Sequence, residues 1–140
     1  MALDSTASAH WEGDLLSGNG TTTLTSGAGG PFAVDWMARS EEHAGKTSPE
    51  ELIAAAHATC FSMALSNGLG KAGTPPEYLD VTATATFVPG EGITAMRLVL
   101  SGRVPGLSED EFRAAAENAK QNCPVSKALA GNVPITLEVR

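Results

Sequence analysis

The most constraining feature of the sequence is a long, alanine-rich apolar segment in the middle of the chain. It opens with strong helix-start signals: Ser48 suits the N-cap, Pro49 suits the first helical position, and Glu51 completes a capping box with Ser48. Residues 52–65 are apolar on nearly every side of a helix, so this helix is predicted to be buried. A small protein can hardly cover such a helix alone, and we expect a sheet on one side and a partner subunit on the other.

Strand and helix signals fill the rest of the chain. Strands are predicted at residues 11–16, 21–25, 32–37, 81–88, 93–101 and 133–139. Two further helices are predicted, one over residues 108–121 and a short one that starts at Pro124 and stops near Gly131. This order predicts an α+β fold with antiparallel strands, a long buried central helix and a second helix pair.

Length and charge limit the possible classes of protein. The 140 residues fit one domain, 1–140, which can bury a core without disulfides or metals. A net charge of −7 argues against a nucleic-acid binder, which needs a basic surface, and disfavours an anionic membrane as partner. Neither a membrane span nor a secretory signal is recognised in the sequence, so a cytoplasmic location is expected.

The chain has only two cysteines, and both are placed on or beside helices. Cys60 lies inside the central helix, and Cys123 comes directly before Pro124. In a reducing compartment a transient, catalytic disulfide is the better interpretation of such a pair than a permanent one. A structural disulfide or two inert core thiols are the alternatives, because free cysteine is among the most buried residue types.

The two thiols are expected to differ in pKa. As an N-cap, Cys123 would face free backbone N–H groups, which lower a thiol pKa and favour the thiolate. Cys60 would lie in an apolar setting that raises its pKa, so it needs a nearby cation to react. Arg39, in the predicted loop before the central helix, is the best candidate for that cation. An arginine next to Glu41 and Glu42 can equally be a solvated surface charge.

Two adjacent glutamates are predicted to have different roles. Glu51 serves the capping box, whereas Glu50 is free to act. Glu50 and Cys60 are ten residues apart on one helix, which separates them by about 15 Å along its axis. If the two residues work together, Glu50 must come from a second subunit whose equivalent helix runs antiparallel.

His57 lies three residues before Cys60, on the same face of the helix. The spacing leaves open a Cys60–His57 hydrolase, although the pair has no third, orienting group. A histidine satisfied within the core or an interface is the alternative. Two cysteines with one nearby histidine fall short of the usual zinc ligand set, so neither a metal nor a cofactor is expected.

Three segments carry a resemblance that covers nearly the whole chain: TSPEELIAAAHATCFSMALS at residues 47–66, NCPVSKAL at residues 122–129, and HWEGDL at residues 10–15. The first two resemble the Cys motifs of the osmotically inducible protein C family in order and spacing. The third is similar to the subgroup that gives this family its name, rather than to its organic hydroperoxide resistance sister group.

The resemblance implies an intertwined homodimer with active sites at its interface. It also implies a thiol peroxidase that reduces organic hydroperoxides, and hydrogen peroxide less well, in defence against oxidative stress. Cys60 would be the peroxidatic thiol and Cys123 the resolving one, joined by a disulfide that a thiol reductant, such as a dihydrolipoyl protein, reduces. Arg39 and Glu50 would hold Cys60 as a thiolate and position the peroxide. A non-enzymatic stress or ligand-binding protein of the same fold is the alternative.

Overall fold

The chain forms two three-stranded sheets and four helices, which confirms the predicted α+β class. The computed structural model describes residues 1–140. Its contacts define two compact units, Met1–Leu52 and Ile53–Arg140, which are described separately below. That the whole chain behaves as one domain stays a prediction.

The first unit contains an antiparallel meander and a short helix. Strands β1 (Ala7–Glu12), β2 (Asn19–Leu24) and β3 (Phe32–Val34) pair in that order. Strand β3 ends before residue 37, because the Asp35 side chain accepts a hydrogen bond from the Ala38 N–H and caps helix α1 (Trp36–Ser40). Arg39 therefore lies on a helix rather than in a loop.

The start of helix α2 (Pro49–Lys71) matches the sequence prediction in part. The Ser48 hydroxyl accepts the Glu51 N–H at 3.1 Å, as a capping box requires. The Glu51 carboxylate, however, accepts from the Thr47 hydroxyl at 3.1 Å, so the reciprocal half of the predicted box is wrong. The N-cap thus depends on Ser48.

Helix α2 is also longer than expected. It continues through Gly68 and Gly70 to Lys71. A glycine inside a helix costs about 1 kcal/mol relative to alanine, which weakens the helix without breaking it. The burial of Leu69, which is 2% exposed, favours this last part of the helix.

The two faces of α2 differ in burial. The fully or nearly fully buried side chains recur every four residues, at His57, Phe61, Leu65 and Leu69. Exposed residues on other faces include Ala55, Ala56, Thr59 and Met63. A single chain therefore does not bury this helix on all sides, and an apolar surface remains uncovered. This agrees with the expectation that a small protein can hardly cover such a helix alone.

By length and composition alone, α2 would be able to cross a membrane. This property by itself does not contradict the expectation that the chain has no membrane span. One helix of this kind is a weak indication, because core helices of soluble proteins have the same properties.

The second unit holds the longer strands. Strands β4 (Tyr78–Val88), β5 (Gly92–Arg103) and β6 (Ile135–Val139) form its sheet in that order. The β4–β5 pair is antiparallel, but β5 and β6 are parallel, which the sequence did not predict. Parallel neighbours need a long crossover, and the segment between β5 and β6, which contains two helices, supplies it.

These two helices are α3 (Glu109–Asn122) and α4 (Pro124–Leu129), and α3 has the predicted capping box between Ser108 and Glu111. The core of the second unit joins α2, β5 and α3 through Phe61, Leu65, Leu69, Leu98, Leu100, Ala116, Ala119 and Cys123. Because Cys123 belongs to this core, the junction between α3 and α4 is held against α2.

Candidate functional site

Four residues were predicted to form the site, and the structure brings them together as two pairs. Cys60 contacts Cys123 within the second unit, and Arg39 contacts Glu50 within the first. The thiol pair joins residues that are distant in the sequence, one on α2 and one at the junction of α3 and α4. Both cysteines are free thiols.

The two thiols differ in exposure. Cys123 is fully buried, whereas Cys60 is only partly buried and lines a groove of about 890 Å³. The groove lies within the second unit, and its apolar lining includes Ala55, Ala56, Met63, Ala64, Ala119 and Pro124. Cys123 does not line it. A small apolar molecule in the groove can therefore reach the first thiol but not the second.

Burial raises the pKa of the Cys60 thiol, as the sequence predicted, and the hydrogen bond with Cys123 raises this pKa further. The backbone N–H of Val125 acts in the opposite direction and lowers the pKa of Cys60. Val125 is the second residue of α4, where backbone N–H groups have no partner inside the helix.

The N-cap pattern in the sequence predicts that these free N–H groups face Cys123. Cys123 is the N-cap of α4, but its side chain makes no capping hydrogen bond. It points into the apolar core instead, and the amide of Val125 serves the sulfur of Cys60. Packing determines which of the two neighbouring sulfurs accepts the hydrogen bond from the Val125 N–H. The N-cap pattern in the sequence does not contain this information.

Arg39 and Glu50 form a two-pronged ion pair. The guanidinium Nε donates to both carboxylate oxygens, at 3.1 and 3.2 Å, and Nη2 donates to Oε1 at 2.8 Å. The Glu50 side chain is 6% exposed and that of Arg39 is 35% exposed. Such a fork fixes the guanidinium orientation as well as its charge. The alternative of a solvated surface arginine is therefore wrong, and Glu50 is not a free carboxylate.

Helix α1, which carries Arg39, is held by residues that the sequence analysis missed. The second carboxylate oxygen of Asp35, the N-cap of α1, accepts from Lys46 at 2.6 Å. The hydrogen bond from Lys46, and then that from the Ala38 N–H, lowers the pKa of Asp35. An aspartate directly before Trp36 was an available N-cap signal, but the strand pattern obscured it.

The same unit has an apolar cavity beside Arg39. Its volume is about 330 Å³, and its lining includes Trp11, Leu15, Trp36, Arg39 and Leu52. Guanidinium groups stack readily on aromatic rings, and an arginine in an apolar cavity interacts more strongly with a bound anion or dipole than one in water. The cavity thus combines a largely apolar lining with two charged side chains, Arg39 and Asp35.

The His57 imidazole does not pair with Cys60. Its Nε2 lies 2.8 Å from the Ser126 hydroxyl, and its Nδ1 has no hydrogen-bond partner. His57 is fully buried, and this burial lowers the pKa of its imidazole. The geometry therefore matches the alternative of a core histidine. No group of three or more histidine, cysteine or carboxylate side chains able to hold a metal ion is present.

The chain is similar to known proteins over its whole length. Residues 42–138 match the family described as OsmC-like protein. The chain is 38% identical over 143 residues to Peroxiredoxin OsmC of Escherichia coli strain K12, covering 100% of this chain and 99% of that protein. It is 35% identical over 95 residues to the organic hydroperoxide resistance protein OhrA of Bacillus subtilis strain 168, covering 66% of this chain and 67% of that protein.

A solved structure gives the same result over the whole length. The crystal structure of an organic hydroperoxide resistance protein OsmC from Legionella pneumophila has a TM-score of 0.68 and 29% sequence identity to this chain. The match covers 99% of this chain and 98% of that one. On the family match, the full-length relative and the shared fold together, this chain belongs to the OsmC-like protein family.

Proposed function

We propose that the protein is a cysteine-based peroxidase that reduces organic hydroperoxides, and hydrogen peroxide less efficiently, in defence against oxidative stress. The observation that carries the proposal is the thiol pair: Cys60 opens to an apolar groove and contacts Cys123, which is fully buried. The names of the relatives, Peroxiredoxin OsmC and organic hydroperoxide resistance protein OhrA, point to the same chemistry.

In the first step, the thiolate of Cys60 attacks the distal oxygen of the hydroperoxide. The O–O bond breaks, the alkoxide takes up a proton and leaves as an alcohol, and Cys60 becomes a sulfenic acid. The thiolate is the reactive form, so the Val125 N–H, which lowers the pKa of Cys60, favours this step. The apolar groove favours alkyl hydroperoxides over small polar ones.

In the second step, the sulfur of Cys123 attacks the sulfenic sulfur of Cys60. The S–S bond forms and the S–O bond breaks, and the hydroxide leaves as water with the proton of the Cys123 thiol. An external dithiol, of which a dihydrolipoyl protein is our candidate, then reduces the disulfide through a mixed disulfide. Each cycle thus transfers two electrons from one dithiol to one hydroperoxide.

Arg39 and Glu50 are proposed to complete the site. The guanidinium would stabilise negative charge on the Cys60 sulfur and on the departing alkoxide, and Glu50 would orient it. We further propose a homodimer in which this pair serves Cys60 of the other copy, because helix geometry separates Glu50 from Cys60 of its own chain. Since Arg39 and Glu50 are joined within one chain, the subunit that supplies one supplies both.

The two alternative functions make different predictions. A Cys60–His57 hydrolase requires an imidazole that is hydrogen-bonded to the thiol, but the His57 Nε2 contacts Ser126 and its Nδ1 has no partner, so neither nitrogen bonds to Cys60. A non-enzymatic stress or ligand-binding protein would fill the groove without consuming thiols. A cytoplasmic location would supply the reduced state that the peroxidase cycle needs, and it stays part of the proposal.

The test is a peroxidase assay with a panel of substrates and reductants. Cumene hydroperoxide, tert-butyl hydroperoxide and hydrogen peroxide are each offered with dihydrolipoamide, glutathione or dithiothreitol. We expect turnover with a dithiol and a higher kcat/KM for the two organic peroxides. A protein that consumes no peroxide with any reductant, while both thiols remain titratable, would exclude the peroxidase function.

A further inference from the structure

A buried polar contact ties α4 to α2 inside the second unit. His57 lies on α2 one turn before Cys60, and Ser126 lies on α4 three residues after Cys123. Their side chains meet at 2.8 Å, and the two residues are 0% and 2% exposed. The peroxide chemistry described above uses neither residue.

The imidazole is neutral and bonded on one side only. Burial lowers the pKa of His57, and its Nδ1 has no partner. A buried N–H without an acceptor is rarer than an unused lone pair, so the proton belongs on Nε2, which donates to the Ser126 hydroxyl. A half-satisfied polar group is costly in a core, where an apolar side chain of similar size would fill the same space. Packing alone therefore does not account for a histidine here.

The location of the contact suggests what it does. Within four residues, the start of α4 meets α2 three times: Cys123 and Val125 both contact Cys60, and Ser126 contacts His57. The two contacts at Cys60 must change during the cycle, because that sulfur first gains an oxygen and then a second sulfur. The contact between His57 and Ser126 takes part in no chemical step and can persist throughout.

We propose that His57 is a positioning residue, which holds the start of α4 on α2 through Ser126 so that Cys123 stays within reach of Cys60 for disulfide closure. As a role in peroxide reduction, this inference rests on the proposed function. Disulfide closure itself can be measured without any peroxide, so the two proposals can fail separately.

The experiment uses an aromatic disulfide, 5,5′-dithiobis(2-nitrobenzoate), on the reduced full-length protein. The Cys60 thiolate attacks one sulfur of the reagent, forms a mixed disulfide and releases a first coloured thiolate. Cys123, once deprotonated, then attacks the Cys60 sulfur, forms the Cys60–Cys123 disulfide and releases a second thiolate. The first release reports access to Cys60, and the second, unimolecular release reports closure.

Three variants separate positioning from stability. His57→Leu removes the contact, and His57→Gln keeps an N–H donor directed at Ser126. The double variant His57→Leu with Ser126→Ala leaves no unpaired polar group in the core, so its stability should return towards that of the wild type. Ser62→Ala is the matched control, because the Ser62 hydroxyl bonds only to the Ala58 carbonyl of its own helix.

We expect the second release to slow by about tenfold in His57→Leu, which is the scale of one lost hydrogen bond. The double variant should stay as slow although urea unfolding shows its stability regained, whereas His57→Gln and Ser62→Ala should close at nearly the wild-type rate. Closure at the wild-type rate in the double variant would overturn the proposal, as would equal slowing by Ser62→Ala. Wild-type protein that closes rapidly but reduces no peroxide would refute the proposed function alone.

Discussion

The ion pair of the first unit and the thiol pair of the second unit differ in polarity: the first consists of charged side chains and the second of thiols against an apolar core. Arg39 and Glu50 are both charged and satisfy each other through three hydrogen bonds, with the arginine still partly exposed. Cys60 and Cys123 lie against an apolar core, and both burial and their mutual contact raise the pKa of Cys60. One region supplies oriented charge without a nucleophile, and the other supplies a nucleophile held mainly in its unreactive form.

The difference indicates what each region lacks. A thiol whose pKa is raised has little thiolate at neutral pH, so it gains from an oriented cation. An arginine that is already fixed by a carboxylate loses little entropy when it stabilises a further negative charge. The predictions below test whether the two pairs act together in peroxide reduction.

The largest effect is expected from removing the attacking sulfur. Cys60→Ser should lower peroxidase activity to the background, because no other thiol lines the groove. Cys123→Ser should allow one turnover and leave a sulfenic or overoxidised Cys60, since closure is no longer possible. Mass spectrometry after one equivalent of cumene hydroperoxide measures both. Full turnover by the Cys60 variant would show that the nucleophile has been misassigned.

Next in size is the loss of the ion pair. Glu50→Ala leaves Arg39 without its orienting partner, and removing one such preorganised group costs about a hundredfold or more in kcat. Glu51→Ala is the matched control, because this neighbouring carboxylate bonds to Thr47 instead. Equal rate losses in the two variants would remove the basis for assigning Glu50 to the site.

Mixed dimers test whether the pair and the thiols come from different chains. We first expect sedimentation to show about twice the 14.3 kDa mass of the chain. A dimer of one Cys60→Ser chain and one Glu50→Ala chain would then have one site with both defects and one intact site. About half of the wild-type activity per dimer should return. Heterodimers that are confirmed but inactive would place Glu50 with its own chain or with none.

A smaller, pH-dependent effect is expected from Arg39→Met. If the guanidinium faces the Cys60 sulfur in the dimer, it favours the thiolate, so its removal should raise the pKa of Cys60. The rate of alkylation by iodoacetamide follows the thiolate fraction and rises with pH, and its midpoint gives this pKa. The midpoint in the variant should therefore move to higher pH. An unchanged midpoint would mean that the two regions are electrostatically independent.

The smallest effect concerns the N-terminal end of α2, the helix that carries both Glu50 and Cys60. Ser48→Ala removes the observed N-cap and should cost about 1 kcal/mol in the free energy of unfolding. Glu51→Ala should cost less, because the carboxylate bonds to a side chain rather than to the helix backbone. Urea denaturation measures both. A larger loss from Glu51→Ala would restore the full capping box that the sequence had suggested.

Features that depend on local pattern were predictable from the amino-acid sequence alone. The start of α2 at Ser48, the capping box of α3 and the α+β order follow from side chains close together in the chain, and these predictions were confirmed. The raised pKa of Cys60 was also foreseeable, because a thiol well inside an apolar helix is desolvated wherever that helix packs. The family resemblance implied that Arg39 and Glu50 belong to the site; the structure joins them as an ion pair, and their role in the site stays a prediction.

The partner of each amide, hydrogen bond and charged side chain, in contrast, depends on how distant segments pack together. The Val125 N–H contacts Cys60 rather than Cys123. His57 bonds to Ser126 rather than to Cys60. Asp35 caps helix α1, which carries Arg39, where the end of a strand was expected. The physical reason is that each of these contacts depends on how one helix packs on another or where a strand stops. Packing distances between segments far apart in the sequence are not encoded in the spacing of residues along it.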